Sequence, residues 1–125
     1  MVGRAPAGDS ELDPEVVDQL RALARAGNSQ LLHKLHASFA RDTPARLRAL
    51  RAAIAAGDSA AVSFSLHTLT GSAANLGATK IVTICREMEG TPAGADGRDL
   101  EPLLTALERH AASAQAELAR IAEAG

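Results

Sequence analysis

The chain of 125 residues contains no Trp or Tyr and only two Phe, and its single cysteine has no partner for an internal disulfide. Aromatic and β-branched residues, which strands prefer, are scarce, whereas Ala and Leu, the strongest helix formers, dominate the apolar fraction. No apolar run approaches the roughly 20 residues that a helix needs to span a bilayer. This composition predicts one all-α domain and argues against a membrane protein.

The charge balance excludes a second class of function. The formal net charge is −2, so the chain lacks the basic excess of nucleic-acid-binding proteins, and it also lacks the aromatic side chains on which bases stack. Residues 1–6 have no apolar stretch of the kind found in signal peptides. The lone cysteine, Cys85, suits a reducing compartment. We therefore expect a cytoplasmic protein that binds neither nucleic acid nor membrane.

Start and stop signals divide the chain into five helices. Residues 1–11 are small and polar with Pro and Gly, so we assign them to a flexible leader and residues 12–125 to the folded domain. Asp13-Pro14 begins the first helix, with Asp as N-cap and Pro at the first helical position, and Gly27 ends it. The other helices are predicted near residues 29–56, 59–75, from 78 to about 89, and 98–123, with a loop over residues 90–97.

The second helix contains Thr43-Pro44, where proline removes a backbone donor and crowds the preceding turn. Either one kinked helix or two short ones satisfies the pattern, and we favour the kinked helix because its apolar phase continues across the proline. In every helix, apolar residues spaced by three and four form a seam. The seam of the last helix is predicted to contain Leu100, Leu103, Leu107, Ala111, Ala114, Leu118 and Ile121. The expected architecture is an antiparallel four-helix bundle with an additional short N-terminal helix.

His67 and Gly71 are the most informative pair in the chain, one helical turn apart in the third helix. A glycine inside a helix costs about 1 kcal/mol relative to alanine, so a benefit must offset it. Gly71 either packs closely against a neighbouring helix or clears space beside the His67 imidazole for a partner. The spacing alone does not choose between these interpretations.

Residues 67–77, His-Thr-Leu-Thr-Gly-Ser-Ala-Ala-Asn-Leu-Gly, closely resemble the phosphorylation motif of bacterial histidine-containing phosphotransfer (HPt) domains. In that family the histidine is followed by glycine at +4, small residues at +5 and +6, and Leu-Gly at +9 and +10, and this chain has all of them. The resemblance in helix order covers nearly the whole chain. It implies that His67 relays a phosphoryl group between receiver domains of response regulators and hybrid sensor kinases.

The resemblance also has one departure. The family's usual lysine at +3, which is thought to hold the phosphoryl oxygens, is Thr70 here, and a threonine hydroxyl supplies no positive charge. Lys34, His36 and Arg86 are candidates to replace that charge. Thr70 is also the one feature that favours an alternative function, a phosphorylation-independent adaptor with an HPt-like fold.

Further site residues follow from the resemblance. It implies that Glu89, at +22, accepts a hydrogen bond from the imidazole Nδ1–H and leaves Nε2 as the nucleophile; an ordinary exposed glutamate is the alternative. We assign docking of the partner to Ser63, Phe64 and Ala74. The chain has no glycine-rich phosphate loop and no acidic metal cluster. We therefore expect a monomeric phosphocarrier without its own ATP site or intrinsic cofactor, with Mg²⁺ held by the partner receiver.

The remaining histidines and the arginines have simpler interpretations. His33 and His36 lack a third metal ligand, so we interpret them, like His110, as structural. Cys85 is predicted to be a buried core thiol. The arginines of the second helix form either a solvated face or an aid to docking of an acidic surface: Arg41, Arg46, Arg48 and Arg51.

Overall fold

The computed structural model describes residues 10–91 and 97–124, except for the side chains of residues 97 and 98. This part of the chain forms five helices and no strand. The helices are α1 (Pro14–Arg25), α2 (Ser29–Ala56), α3 (Ser59–Asn75), α4 (Thr79–Glu89) and α5 (Gly97–Ala124). These bounds confirm the predicted all-α class and helix order. The loop predicted at residues 90–97 lies largely outside the described residues.

The helix ends have the local chemistry that the sequence indicates. The Asp13 carboxylate accepts from the backbone N–H of Glu15 at 2.8 Å, and the Asp58 carboxylate accepts from that of Ala61 at 3.1 Å. Gly57 ends α2 with a positive φ of 68°, a conformation that costs glycine little. Pro44 lies inside a single continuous α2, as the favoured interpretation predicted.

Helices α2 to α5 form a ring in which α2 packs against α3, α3 against α4, α4 against α5 and α5 against α2, while α1 packs against α2 and α5. The centre of this ring is apolar, and burial of such side chains is the main stabilising contribution to a fold of this size. The largest side chains that are less than 2% exposed come from the segment before α1 and from all four bundle helices: Leu12, Leu32, Leu50, Leu66, Ile81, Cys85, Leu104, Leu107 and Leu118.

The predicted seam of α5 was wrong at one position. Leu104 is 1% exposed and lies in the core, whereas Leu103 is only partly buried and packs against its edge. With Leu104 in place, the buried residues of α5 follow a strict alternation of four and three from Leu100 to Ile121. The structure therefore has a more regular heptad seam than the one inferred from the sequence.

Two residues that the sequence assigns to the leader, Ser10 and Glu11, contact α5 in the structure. Glu11 is 8% exposed, its backbone N–H donates to Glu117 at 2.9 Å, and the Ser10 hydroxyl donates to the same carboxylate at 2.7 Å. The backbone N–H of Asp13 donates to Gly77 O at 2.7 Å. A Cβ at Gly77 would lie 2.7 Å from a methyl group of Val16, so this glycine is needed for the close approach of α1 to the α3–α4 turn.

A candidate phosphoacceptor site on helix α3

The outer face of α3 presents the candidate site residues that the sequence indicates. Its inner face is buried through Leu66, Leu69 and Ala73, and this leaves His67 exposed on the opposite side. Residues three, four or seven apart on a helix share one face. The exposed face accordingly contains Ser63, Phe64, His67, Gly71 and Ala74, all of which are solvent-exposed.

Phe64 is the most unusual member of this face. Its side chain is 73% exposed, which makes it the more exposed of the two large hydrophobic side chains that the described part of the chain leaves in solvent. It lies three residues before His67, so the phenyl ring and the imidazole occupy neighbouring positions one turn apart. Aromatic side chains are enriched at protein–protein interfaces, so Phe64 is a candidate for contact with a protein partner.

The structure decides between the two interpretations of Gly71. A Cβ built at this position would meet nothing within 4 Å, and its φ is not positive, so neither close packing nor an unusual backbone conformation requires glycine here. The interpretation that Gly71 packs against a neighbouring helix is therefore wrong. The glycine keeps open space on the face of α3 one turn from the imidazole of His67.

Thr70 lies at the edge of this face and faces inward. Its hydroxyl donates to the backbone carbonyl of Leu66 at 2.7 Å, the local bond that threonine commonly makes inside a helix. The same hydroxyl lies against the Cys85 thiol on α4. Burial raises the pKa of Cys85 to about 11, the hydrogen bond with Thr70 offsets part of that rise, and the negative charge of Glu89 adds to it. Cys85 is thus the buried core thiol that the sequence predicts.

The Thr70–Cys85 contact sets the register between α3 and α4. The two helices are antiparallel because only a short turn joins them, so His67, three residues before Thr70, is level with residues about three or four after Cys85. Glu89 occupies that level, and both it and His67 are exposed. Within residues 10–91 and 97–124, however, no hydrogen bond joins the His67 imidazole to the Glu89 carboxylate. The predicted bond is absent from this structure, although the two residues occupy the same level.

The other histidines occupy different environments. The Glu11 carboxylate accepts a hydrogen bond from His110 Nδ1 at 3.0 Å, and this contact ties α5 to the N-terminal segment. His36 is half-buried and His33 is exposed, both on the first half of α2. Among the described residues, no three His, Cys, Asp or Glu side chains lie close enough to hold a metal ion.

Two of the four arginines of α2 form ion pairs. Arg51 contacts Glu101 at 3.2 Å and Glu108 at 2.9 Å on α5, and Arg41 contacts its neighbour Asp42 at 3.0 Å. These groups are exposed, so each contact contributes little to stability. Their positions favour the interpretation of a solvated face over that of a docking surface for a partner.

The described residues thus form an all-α bundle with an exposed histidine on the outer face of α3. The chain matches the family model for the Hpt domain over residues 34–124, and it therefore belongs to the Hpt family of histidine phosphotransfer domains. Comparisons with curated proteins and with solved structures give no match. Members of the Hpt family are phosphocarriers in two-component signalling and interact with receiver domains.

The family match also limits which histidines are candidates for the phosphoacceptor. Three histidines fall within the matched residues, namely His36, His67 and His110. His36 is half-buried, and His110 is engaged with Glu11, whereas His67 is exposed without a hydrogen-bond partner among the described residues.

No helix in the described part of the chain is both long and apolar enough to cross a bilayer.

Proposed function

We propose that His67 accepts a phosphoryl group from the aspartyl phosphate of one receiver domain and passes it to the aspartate of another. The observation that carries this proposal is the open space at Gly71 beside an exposed, unpartnered imidazole. A partner that approaches this face meets no side chain at residue 71. Phe64, one turn on the other side of His67, offers the apolar area that a docked receiver would bury.

The chemistry needs little from this chain. The lone pair of His67 Nε2 attacks phosphorus, the bond from phosphorus to the aspartyl oxygen breaks, and the aspartate leaves as a carboxylate. The ring then holds its Nδ1 proton as an imidazolium until that proton passes to water or to the nearby Glu89 carboxylate. The reverse sequence returns the phosphoryl group to a second aspartate.

Phosphoryl transfer depends mainly on in-line positioning and on neutralisation of charge. We propose that the receiver supplies the aspartate and the Mg²⁺, while this chain supplies the nucleophile on a rigid helix. Mounting the histidine mid-helix fixes its backbone, since both neighbouring turns are held by the buried residues Leu66 and Leu69.

The test is phosphoryl exchange with a panel of Mg²⁺-loaded, phosphorylated receiver domains, followed by intact-mass analysis of this chain. Wild type is compared with His67→Gln and with His33→Gln, which alters an exposed histidine on α2. We expect an acid-labile phosphate on the wild type and on His33→Gln and none on His67→Gln. Binding of a receiver without labelling of any variant would instead support the phosphorylation-independent adaptor.

A further inference from the structure

A phosphoryl group on His67 brings up to two negative charges to the outer face of α3, and neutralising them favours its retention. Thr70, one turn away, supplies no charge. Its hydroxyl proton is already donated to Leu66 O at 2.7 Å, and its other neighbour is the buried Cys85. Any cation that contacts the phosphoryl group must therefore come from a helix that packs beside α3, which means α2 or α4.

The cations at the start of α2 lie too far from His67 along the bundle axis. The turn at Gly57 and Asp58 joins α2 to α3, so His67, nine residues after that turn, is level with residues about nine before it. Lys34 and His36 lie more than twenty residues before the turn. At 1.5 Å per residue they are about 18 Å or more along the bundle axis from His67.

The arginines of α2 lie beside carboxylates or face away from α3. Arg51 contacts Glu101 and Glu108 on α5, and Arg48, three residues earlier, shares that face of α2. Arg41 is hydrogen-bonded to Asp42, a contact that lowers the pKa of that carboxyl, and the charge of Arg46 lowers it further. None of these arginines combines the level of His67 with a free charge on the side of α3.

Arg86 on α4 combines a position close to the level of His67 with a free charge. It directly follows Cys85, which contacts Thr70, so its backbone is only about 3 Å along the axis from the level of His67. His67, three residues before Thr70, lies on the flank of α3 that adjoins α4. Arg86 is exposed and, within the described ranges 10–91 and 97–124, forms no hydrogen bond or ion pair.

We propose that Arg86 binds the phosphoryl oxygens of phospho-His67 and supplies the positive charge that Thr70 does not. This inference rests on the proposed function of His67. The planar guanidinium, on a flexible stem from the neighbouring helix, reaches the phosphoryl group from the side and leaves the face above Gly71 clear for the receiver. Glu89, three residues after Arg86, is the acidic group on the same flank of α4.

A small phosphoryl donor allows the effect of Arg86 on the phosphoryl group to be measured without docking of a receiver. Wild type, Arg86→Ala, Arg86→Lys and Arg48→Ala are phosphorylated with potassium phosphoramidate, and the pH titration of the phosphohistidine ³¹P signal is recorded for each isolated phosphoprotein. Arg48→Ala is the matched control, because it removes an exposed arginine from the far side of α2. Circular dichroism confirms that each variant keeps its helices.

The titration reports loss of the Nδ1 proton from the phosphorylated ring, and we expect its acid dissociation constant to fall about threefold in Arg86→Ala, the effect of losing one exposed charge-assisted contact, and to be kept in Arg86→Lys and Arg48→Ala. The rate of phosphoryl transfer from a phosphorylated receiver should likewise fall in Arg86→Ala and be kept in Arg86→Lys and Arg48→Ala. A labelled wild type whose titration is unchanged in Arg86→Ala overturns the role of Arg86 alone. A wild type that accepts no phosphoryl group at His67 from phosphoramidate or from any receiver overturns the proposed function, and the role of Arg86 with it.

Discussion

Replacing Gly71 with alanine should stabilise the protein and impair its function at the same time. Gly71 lies inside α3 in helical conformation, and glycine in a helix interior costs about 1 kcal/mol relative to alanine. A new Cβ meets nothing within 4 Å, so no steric strain opposes this gain. We expect the free energy of unfolding to rise by about 0.5–1 kcal/mol, which corresponds to a melting temperature roughly 3 °C higher in a domain of this size.

The same methyl group should slow phosphoryl transfer. In a helix each Cα–Cβ bond tilts toward the N-terminus, so a side chain at residue 71 projects toward His67, one turn before it. A receiver that docks over the imidazole then meets the added atom. We expect a moderate loss of transfer rate in Gly71→Ala and a nearly complete loss in Gly71→Leu, with His67 itself unchanged.

Two measurements check this reasoning. Urea unfolding gives the change in stability, and the initial rate of labelling by a phosphorylated receiver gives the change in transfer. Ala112→Gly, at an exposed position inside α5, is the control that should lower stability by a similar amount without slowing transfer. A Gly71→Ala variant that is destabilised would refute the open space at this position, and one that is stabilised but transfers at the wild-type rate would refute the role of that space in docking.

Three further predictions concern other residues. Phe64→Ala should weaken receiver binding, measured by calorimetry, by about 1–2 kcal/mol and leave stability nearly unchanged, because the side chain is 73% exposed; equal affinity would remove Phe64 from the docking surface. Because burial raises the pKa of Cys85 to about 11 from 9.0, the folded thiol should stay protonated and resist alkylation at pH 8. Since the unfolded thiol loses its proton first, stability should also fall between about pH 9 and pH 11, and Cys85→Ser should lack this part of the pH dependence. Glu11→Ala removes the carboxylate that lies 3.0 Å from His110 Nδ1 and should lower the free energy of unfolding by about 1–2 kcal/mol in a urea titration; an unchanged midpoint would show that this contact contributes nothing.

The helix pattern was predictable because its signals are local. Asp13, Pro14, Gly57 and Asp58 act within one turn of their own positions, and spacings of three and four assign each apolar residue to a face. The error at Leu103 and Leu104 shows the limit of that reasoning. Adjacent leucines fit the same pattern almost equally well, and only the packing of α5 against α2 and α4 selects Leu104 for the core.

The N-terminal boundary required tertiary contacts. Ser10 and Glu11 have no local feature that distinguishes them from a loose leader, since their partner Glu117 lies more than 100 residues away in the chain. The sequence likewise did not reveal the packing role of Gly77. Its sequence position indicates a turn, but the close approach of Val16 is visible only in three dimensions.

The sequence by itself determined the all-α class, the five helices and the motif that contains His67, because propensity, capping and residue spacing act over short distances along the chain. Tertiary structure decided the rest of the site. It left open space at Gly71, turned Thr70 inward against Cys85, and brought Glu89 on α4 to the level of His67 without a hydrogen bond between them. The physical reason is that these properties depend on the register between neighbouring helices, and that register is set by how their buried faces pack.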